Sequence, residues 1–363
     1  MAQNRDFDIR SFGAVGDGKT DCTAAIQQAI DAAAPTQATV YVPPGVYLSS
    51  TLRMHPHVGL AGEPTWTFAR FGGSIIRLAD EGARCLIDIS ESIGNTLSGL
   101  CLDGAHLGKG IHGVMLDRPD DNHATEHTPR IERCKVGYFS GDGVHFNNVW
   151  CFSVRHSMLY ENGGDGLWLH GCDGFILDNW FSGNARAGFG AYEHNAAVTM
   201  TGNRIEWNHA GGIVGLGSSN YNVTGNYVDR SGGPGIHFGP RGDVPPSMIS
   251  ATGNVIWRSG RPDWCPKEEY ASCHARLEQV RGLTFTANAF NAAKDDRGKG
   301  EYSPDYGIVY GGLTNSVIKD NVLHNAALKQ AIVDLGGHGE GVIVKDNPSS
   351  VFVPGKTPET LRY

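Results

Sequence analysis

Long hydrophobic runs are missing from this sequence. No apolar stretch approaches the ~20 residues of a membrane span, so no membrane-crossing helix and no membrane partner are expected. A basic stripe is missing too: 30 Lys and Arg face 38 Asp and Glu, a net charge of −8 over 363 residues. Phosphate contacts need clustered Lys and Arg, so no nucleic-acid partner is expected. Charged residues make up only 19% of the chain, against ~25% in an average domain. The N-terminus MAQNRDFDIRSFG has no apolar signal-peptide core, which fits a cytosolic chain or the mature form of a secreted one. No cysteine pair has CxxC spacing with a second pair behind it, so neither a zinc site nor any other metal or cofactor is expected. Cys101, Cys134, Cys151 and Cys172 fall in apolar strands as small hydrophobes. Cys265 and Cys273 share a polar loop, where a disulfide and two free thiols are equally compatible with the sequence.

What the chain has in abundance is glycine, 50 residues, and a repeat. CFSVRHSMLYENGGDGLWLHG, DGFILDNWFSGNARAGFGAYE, AAVTMTGNRIEWNHAGGIVGLG and NYNVTGNYVDRSGGPGIHFG align one under another. Each holds a short alternating strand, an Asn turn, a second strand, a Gly-rich turn and a third strand. Asn179, Asn203, Asn226, Asn254, Asn288, Asn321 and Asn347 occupy the same place in successive units. Asn tolerates left-handed turn geometry and can bond the Asn one rung away. Short strands at such a period describe an all-β fold, a single-stranded right-handed parallel β-helix with rungs ~4.8 Å apart. One β-helix domain is expected over 1–363. It comprises a capping α-helix at 18–36 with Thr20 or Asp21 as N-cap, coils over 37–347 and a tail at 348–363. Loops inserted at 104–129, 240–247, 260–280 and 291–305 would wall a groove.

The segments SFGAVGDGKTDCTAAIQQAI and VYVPPGVYLSS resemble the N-terminal signature of the pectate-lyase-3 superfamily. The resemblance covers about the first fifty residues and implies a β-helix fold. It also implies kinship with glycoside hydrolases related to polygalacturonase, with β-1,3-glucanases and with phage tailspikes, some relatives of which form trimers. The polygalacturonase motif order is not reproduced: Asp-Asp occurs only in loops, Gly-His-Gly falls late, at Gly337–Gly339, and Arg-Ile-Lys is absent. Inulin fructotransferases, which pair an Asp with a Glu on a parallel β-helix, remain a compatible kind of relative.

Aligning the second strands on Leu102, Val136, Leu159, Phe181, Ile205, Val228 and Ile256 sends the next residue outward. That column reads Asp103, Gly137, Tyr160, Ser182, Glu206, Asp229 and Trp257. Trp180, Arg204 and Tyr227 precede the aliphatics, while Glu161, Trp207 and Arg230 follow one step later. Aromatic faces stack on sugar rings, and paired carboxylates perform acid–base work at a glycosidic bond. Glu206 and Asp229, one rung apart, are therefore the expected catalytic pair, with Glu161 as a possible substitute. Tyr160, Trp180, Arg204, Trp207, Tyr227, Arg230, Trp257, His237, Trp264 and Asp103 are the expected substrate contacts. Asp142 and Asp165, in Asp-Gly turns, read as turn residues, and the loop histidines His106, His112, His123 and His127 as solvated or at a subunit contact.

Three functions stay open: a glycoside hydrolase or transglycosidase working through a carboxylate pair; a polysaccharide lyase or epimerase acting on uronates; and a non-catalytic, tailspike-like glycan binder. The expected partner is a poly- or oligosaccharide, with a homotrimer as the oligomer to look for.

Overall fold

A computed structural model describes residues 7–63, 66–68, 70–118, 125–261, 263–264, 267–292 and 298–356. The chain forms two compact units, Met1–Trp180 and Phe181–Tyr363. Both are built of parallel coils with three strands per turn. In the second unit, Asn195–Thr201, Ser219–Thr224 and Ser247–Thr252 stack as first strands, all in parallel register. Arg204–Glu206, Tyr227–Asp229, Val255–Trp257, Ala289–Asn291 and Val322–His324 stack as second strands. Gly211–Leu216, Ile236–Gly239, Cys273–Glu278 and Tyr306–Gly311 stack as third strands. In the first unit, Val144–Arg155 and Leu167–Leu177 run unbroken from a third strand into the next first strand.

The apolar residue of each second strand stacks on its counterpart in the next coil. Ile205, Val228, Ile256, Phe290 and Leu323 form one such column, all fully or almost fully buried. Leu102, Val136 and Leu159 form another in the first unit. Burying one such side chain contributes about 1.5–3 kcal/mol, so the columns fix which residues face out.

From Asn203 to Asn321 the repeated asparagines are buried, and with the half-buried Asn347 they bond end to end. The Nδ2 of Asn203, Asn226, Asn254, Asn288 and Asn321 donates to the Oδ1 of the next, at 2.9–3.0 Å. Each Oδ1 also accepts the backbone N–H of the preceding Asn, as from Asn203 to Asn226 at 3.0 Å. Left-handed geometry falls one residue earlier than expected, on Gly202, Gly225 and Gly253 at φ 65–68° and on Ala287, Asp320 and Asp346. The amide thus sits at the ladder position and the preceding residue makes the turn.

The helix is shorter than 18–36: it spans Thr23–Ala33, with Ile26, Ala29, Ile30 and Ala33 buried. Residues Asp17–Asp21 form a strand instead, and Cys22 is the N-cap. Asp21 still serves the helix start, its Oδ1 accepting from the Thr23 N–H at 2.9 Å. Two expected loops contain strands, His112–Asp117 within 104–129 and Cys273–Glu278 within 260–280. Cys273 is a buried free thiol, whereas Cys265 lies outside the described residues. No helix among the described residues is long and apolar enough to cross a membrane.

Two outcomes follow for stability. Asn254→Ala removes bonds to Asn226, Asn288 and the Val223 carbonyl, and should cost about 1–3 kcal/mol for each group left bare, read from denaturant midpoints. His274 is wholly buried against Phe290, and burial pushes its imidazole down to about 3. Below about pH 6.5 the unfolded chain takes up a proton that the native chain refuses, so stability should fall from pH 7 toward pH 4. A His274→Leu chain should lose that part of the slope in denaturation curves collected across the same range.

Candidate functional site

The expected residues divide between the two units: Asp103, Tyr160, Glu161 and Trp180 lie in the first, the rest in the second.

In the second unit the expected register is present, with Glu206 directly opposite Asp229 and Asp229 opposite Trp257. Their surroundings differ from an open groove. Asp229 has no exposed surface, and Arg258 holds both its oxygens, Nε to Oδ1 at 3.0 Å and Nη2 to Oδ2 at 2.8 Å. Arg230 also bonds Asp229 Oδ2. Burial pushes the Asp229 carboxyl up, and the two guanidiniums pull against it. Glu206 is nearly buried and accepts from Arg204 Nε at 2.9 Å. Trp257 is buried as well, its Nε1–H bonded to the Ala292 carbonyl at 2.8 Å and the Arg258 guanidinium 3.6 Å from its ring. Trp207 stays 37% exposed. The loop after Trp257 does reach this face, placing Trp264 6.3 Å from Trp207 and 4.4 Å from the His209 ring. His237 lies apart, on the third-strand face, 3.5 Å from Glu278. His237 and Arg276 together hold that carboxyl down at about 2 despite its burial.

In the first unit Asp103 is a buried turn anchor. Its Oδ2 accepts from Arg77 Nε at 2.8 Å and its Oδ1 from the Ala105 N–H at 2.9 Å. Tyr160 and Trp180 are half-buried beneath Phe68, at ring distances of 5.6 and 4.4 Å. Lys135 secures that cover: its Nζ donates to the carbonyls of Thr67, Phe68 and Arg70 and lies 4.2 Å from the Phe71 ring centre. Glu161 is exposed and left-handed, at φ 48°. Burial, then Glu161, pushes the Tyr160 hydroxyl up.

The third-strand face of the first unit carries a cluster that spacing alone did not assemble. His145 and Trp168 are register partners and stack at 4.4 Å with planes 10° apart. Asp142 Oδ2 lies 2.8 Å from His145 Nδ1 and 3.3 Å from His112 Nδ1. His112 Nδ1 also lies 3.0 Å from the Asp142 backbone N–H, and the two imidazole rings are 4.3 Å apart. Asp142 is nearly buried, which opposes ionisation, yet the two histidines and the Asp165 N–H at 2.7 Å outweigh burial and hold it well below the usual carboxylate range. Two residues along the same strands, Asn147 links Asp117 at 2.9 Å to His170 at 2.8 Å, and Arg84 pairs with Asp117 at 2.5 Å.

His112 therefore lies in a strand rather than a loop and is half-buried, and Asp142 bonds beyond its own turn. His123 lies outside the described residues. The signal available in the sequence was the alternation of SGDGVHFN and GGDGLWLH, which turns His145, Asn147, Trp168 and His170 to one face. The ligating atoms of His112, Asp142 and His145 lie within 4.8 Å of one another, a donor set that a transition ion accepts.

The enclosure of Asp229 has a measurable consequence. Asp229→Asn leaves Arg258 buried beside a neutral amide, so about 3–5 kcal/mol of stability should be lost in chemical denaturation.

Comparison with known proteins follows the same architecture. A model described as right handed beta helix region matches residues 76–254 and 142–352, and one described as rhamnogalacturonase A/epimerase, pectate lyase-like, matches residues 7–76. Mannuronan C5-epimerase AlgE6 of Azotobacter vinelandii is 31% identical over 211 residues, 53% of this chain and 22% of the relative. Alginate lyase 7 of the same organism is 28% identical over 204 residues, 51% of this chain and 23% of the relative. The matches thus span less than a quarter of either relative. Among solved structures, the A-module of A. vinelandii AlgE6 superposes with a TM-score of 0.66 at 19% identity, covering 94% of this chain and 99% of that one. DFA-IIIase from Arthrobacter chlorophenolicus A6 in complex with GF2 superposes with a TM-score of 0.65 at 15% identity, covering 93% and 91%. The chain belongs to the right-handed β-helix family.

Proposed function

We propose that this chain acts on a uronate-containing polysaccharide by removing the proton beside the sugar carboxylate, the step that C5-epimerases and lyases share. The observation that carries this reading is the Asp142–His145–His112 arrangement. With Asp142 ionised, His145 Nδ1 holds its proton toward the carboxylate, which leaves Nε2 as the basic atom. We assign His112 the opposite tautomer, with Nδ1 accepting the Asp142 N–H and the proton on Nε2. A base and a donor thus stand side by side on one face, next to an indole.

In this mechanism His145 Nε2 takes the C5 proton, and the electron pair passes into the uronate carboxylate. The His112 N–H steadies the charge that develops there. Water reaching the opposite face of the sugar returns a proton to C5 and gives the C5 epimer, the hydroxide so formed being neutralised by the proton held on His145 Nε2, whereas departure of the C4 oxygen carrying that proton gives an unsaturated end. Trp168, Asn147 and His170 supply a stacking face and polar contacts for the chain. The likeness to a mannuronan C5-epimerase and an alginate lyase supports this chemistry over hydrolysis. So does the state of the other carboxylate pair: both Asp229 oxygens are held by Arg258, which makes Asp229 a counterion and leaves no exposed oxygen to serve as acid, base or nucleophile.

The experiment is incubation with mannuronan in D2O, followed by NMR at C5 and by ultraviolet absorption of unsaturated ends. Deuterium should enter at C5, or unsaturated ends should appear. His145→Ala should slow either product by at least 10²-fold, the range of a lost general base. New reducing ends with neither C5 exchange nor unsaturation would assign hydrolysis instead, and an unchanged rate in His145→Ala would remove His145 from the mechanism.

A further inference from the structure

The second-strand face of residues 181–363 contains an ordered set of guanidiniums and rings that the chemistry above does not use. Arg204 lies 4.4 Å from the Tyr227 ring centre, Arg230 4.4 Å from Trp207, and Arg261 4.0 Å from Trp264. Each arginine is also tied edge-on to a carboxylate: Arg204 to Glu206 at 2.9 Å, Arg230 to Asp229, and Arg261 to Asp263 at 2.6 Å. Asp229 serves Arg258 too, so among the described residues these four guanidiniums share three carboxylates. Stacking on one face and bonding along one edge holds each planar fork in place before any ligand arrives.

Fold requirements do not explain these side chains. Trp207 is left-handed at φ 59°, a conformation unfavourable for an ordinary residue and tolerated by Asn. The corresponding turn after Val322–His324 does use asparagine, Asn325 at φ 47°. Rings that only packed the sheet would be covered, yet Trp207 is 37% exposed, and the Arg204 side chain is 45% exposed beside it. Arg204 and Tyr227 sit on adjacent rungs, ~4.8 Å apart, a step comparable to one sugar of an extended chain.

We propose that this face is a binding track for an extended acidic polysaccharide, with Trp207 offering its plane to a sugar ring and Arg204 meeting a uronate carboxylate. The choice of an acidic polymer rests on the uronate reading above. The track itself turns over nothing.

The test uses the full chain carrying His145→Ala, so that polymer is held and not consumed, in affinity electrophoresis through gels containing mannuronan or dextran. Mannuronan should retard it, added salt should relieve the retardation, and dextran should have little effect. Adding Trp207→Asn, which the left-handed turn accepts, should weaken retardation about tenfold, and Arg204→Gln should weaken it in mannuronan alone. Unfolding midpoints equal to the His145→Ala background identify loss of the track rather than loss of fold. Retardation unchanged by both substitutions overturns the track, and equal retardation in dextran overturns the acidic ligand. Because retention needs no turnover, absence of C5 chemistry would leave this result standing by itself.

Discussion

The amide row constrains everything else in the second unit. An asparagine whose Nδ2 must reach the next Oδ1, and whose Oδ1 must accept from the previous backbone, has one register in which both bonds close. A slip of one residue would put the aliphatic column outside and the polar column inside. A slip of a whole coil is barred because the coils differ in length, the asparagines recurring after 23, 28 and 34 residues from Asn203 to Asn288. Whatever varies between coils is pushed into the loops, and the strands stay in register. This is why side chains distant in sequence, such as Arg230 and Arg258, can share one buried carboxylate.

Much of that frame was legible in the sequence. The Asn positions, the aliphatic column and the pairing of Glu206 with Asp229 follow from a period of two along each strand and a fixed offset to the turn. The exposure of that column was not legible. A strand pattern tells which face a side chain takes, not what the neighbouring loop lays over it. Asp103 faces outward as expected but is closed off by Arg77 and its own turn, and Tyr160 lies beneath a loop pinned by Lys135. Nor can a pattern reveal that Arg258, two coils' length from Glu206 in sequence, grips Asp229 with two parallel bonds.

The His112–Asp142–His145 cluster escaped sequence reading for a different reason. His145 was placed outward by alternation, but His112 lay in a stretch whose glycines and charges suggested a loop, while the structure makes His112–Asp117 a strand. Asp142 sits at an Asp-Gly turn, where the ordinary duty of the side chain is local. Here Oδ1 instead reaches the next coil, accepting from the Asp165 N–H, and Oδ2 is left to face two imidazoles. One carboxylate thus ties two coils together with one oxygen and faces the imidazoles with the other. Sequence patterns assign a residue a single environment, so they miss such a division.

The same division separates the two carboxylate centres chemically. At Asp229 every oxygen is answered by a guanidinium, whose proton does not leave at any ordinary pH, so the centre stores charge and cannot pass it on. At Asp142 the answering groups are imidazoles, each of which has one ring nitrogen able to give a proton and one able to accept it. In the proposed mechanism those protons sit on Nδ1 of His145, facing the carboxylate, and on Nε2 of His112, whose Nδ1 accepts a backbone N–H. A buried carboxylate is inert or enabling according to whether its partners can give up a proton. By that criterion the imidazole-lined third-strand face is suited to moving a proton, and the arginine-lined second-strand face to holding a ligand.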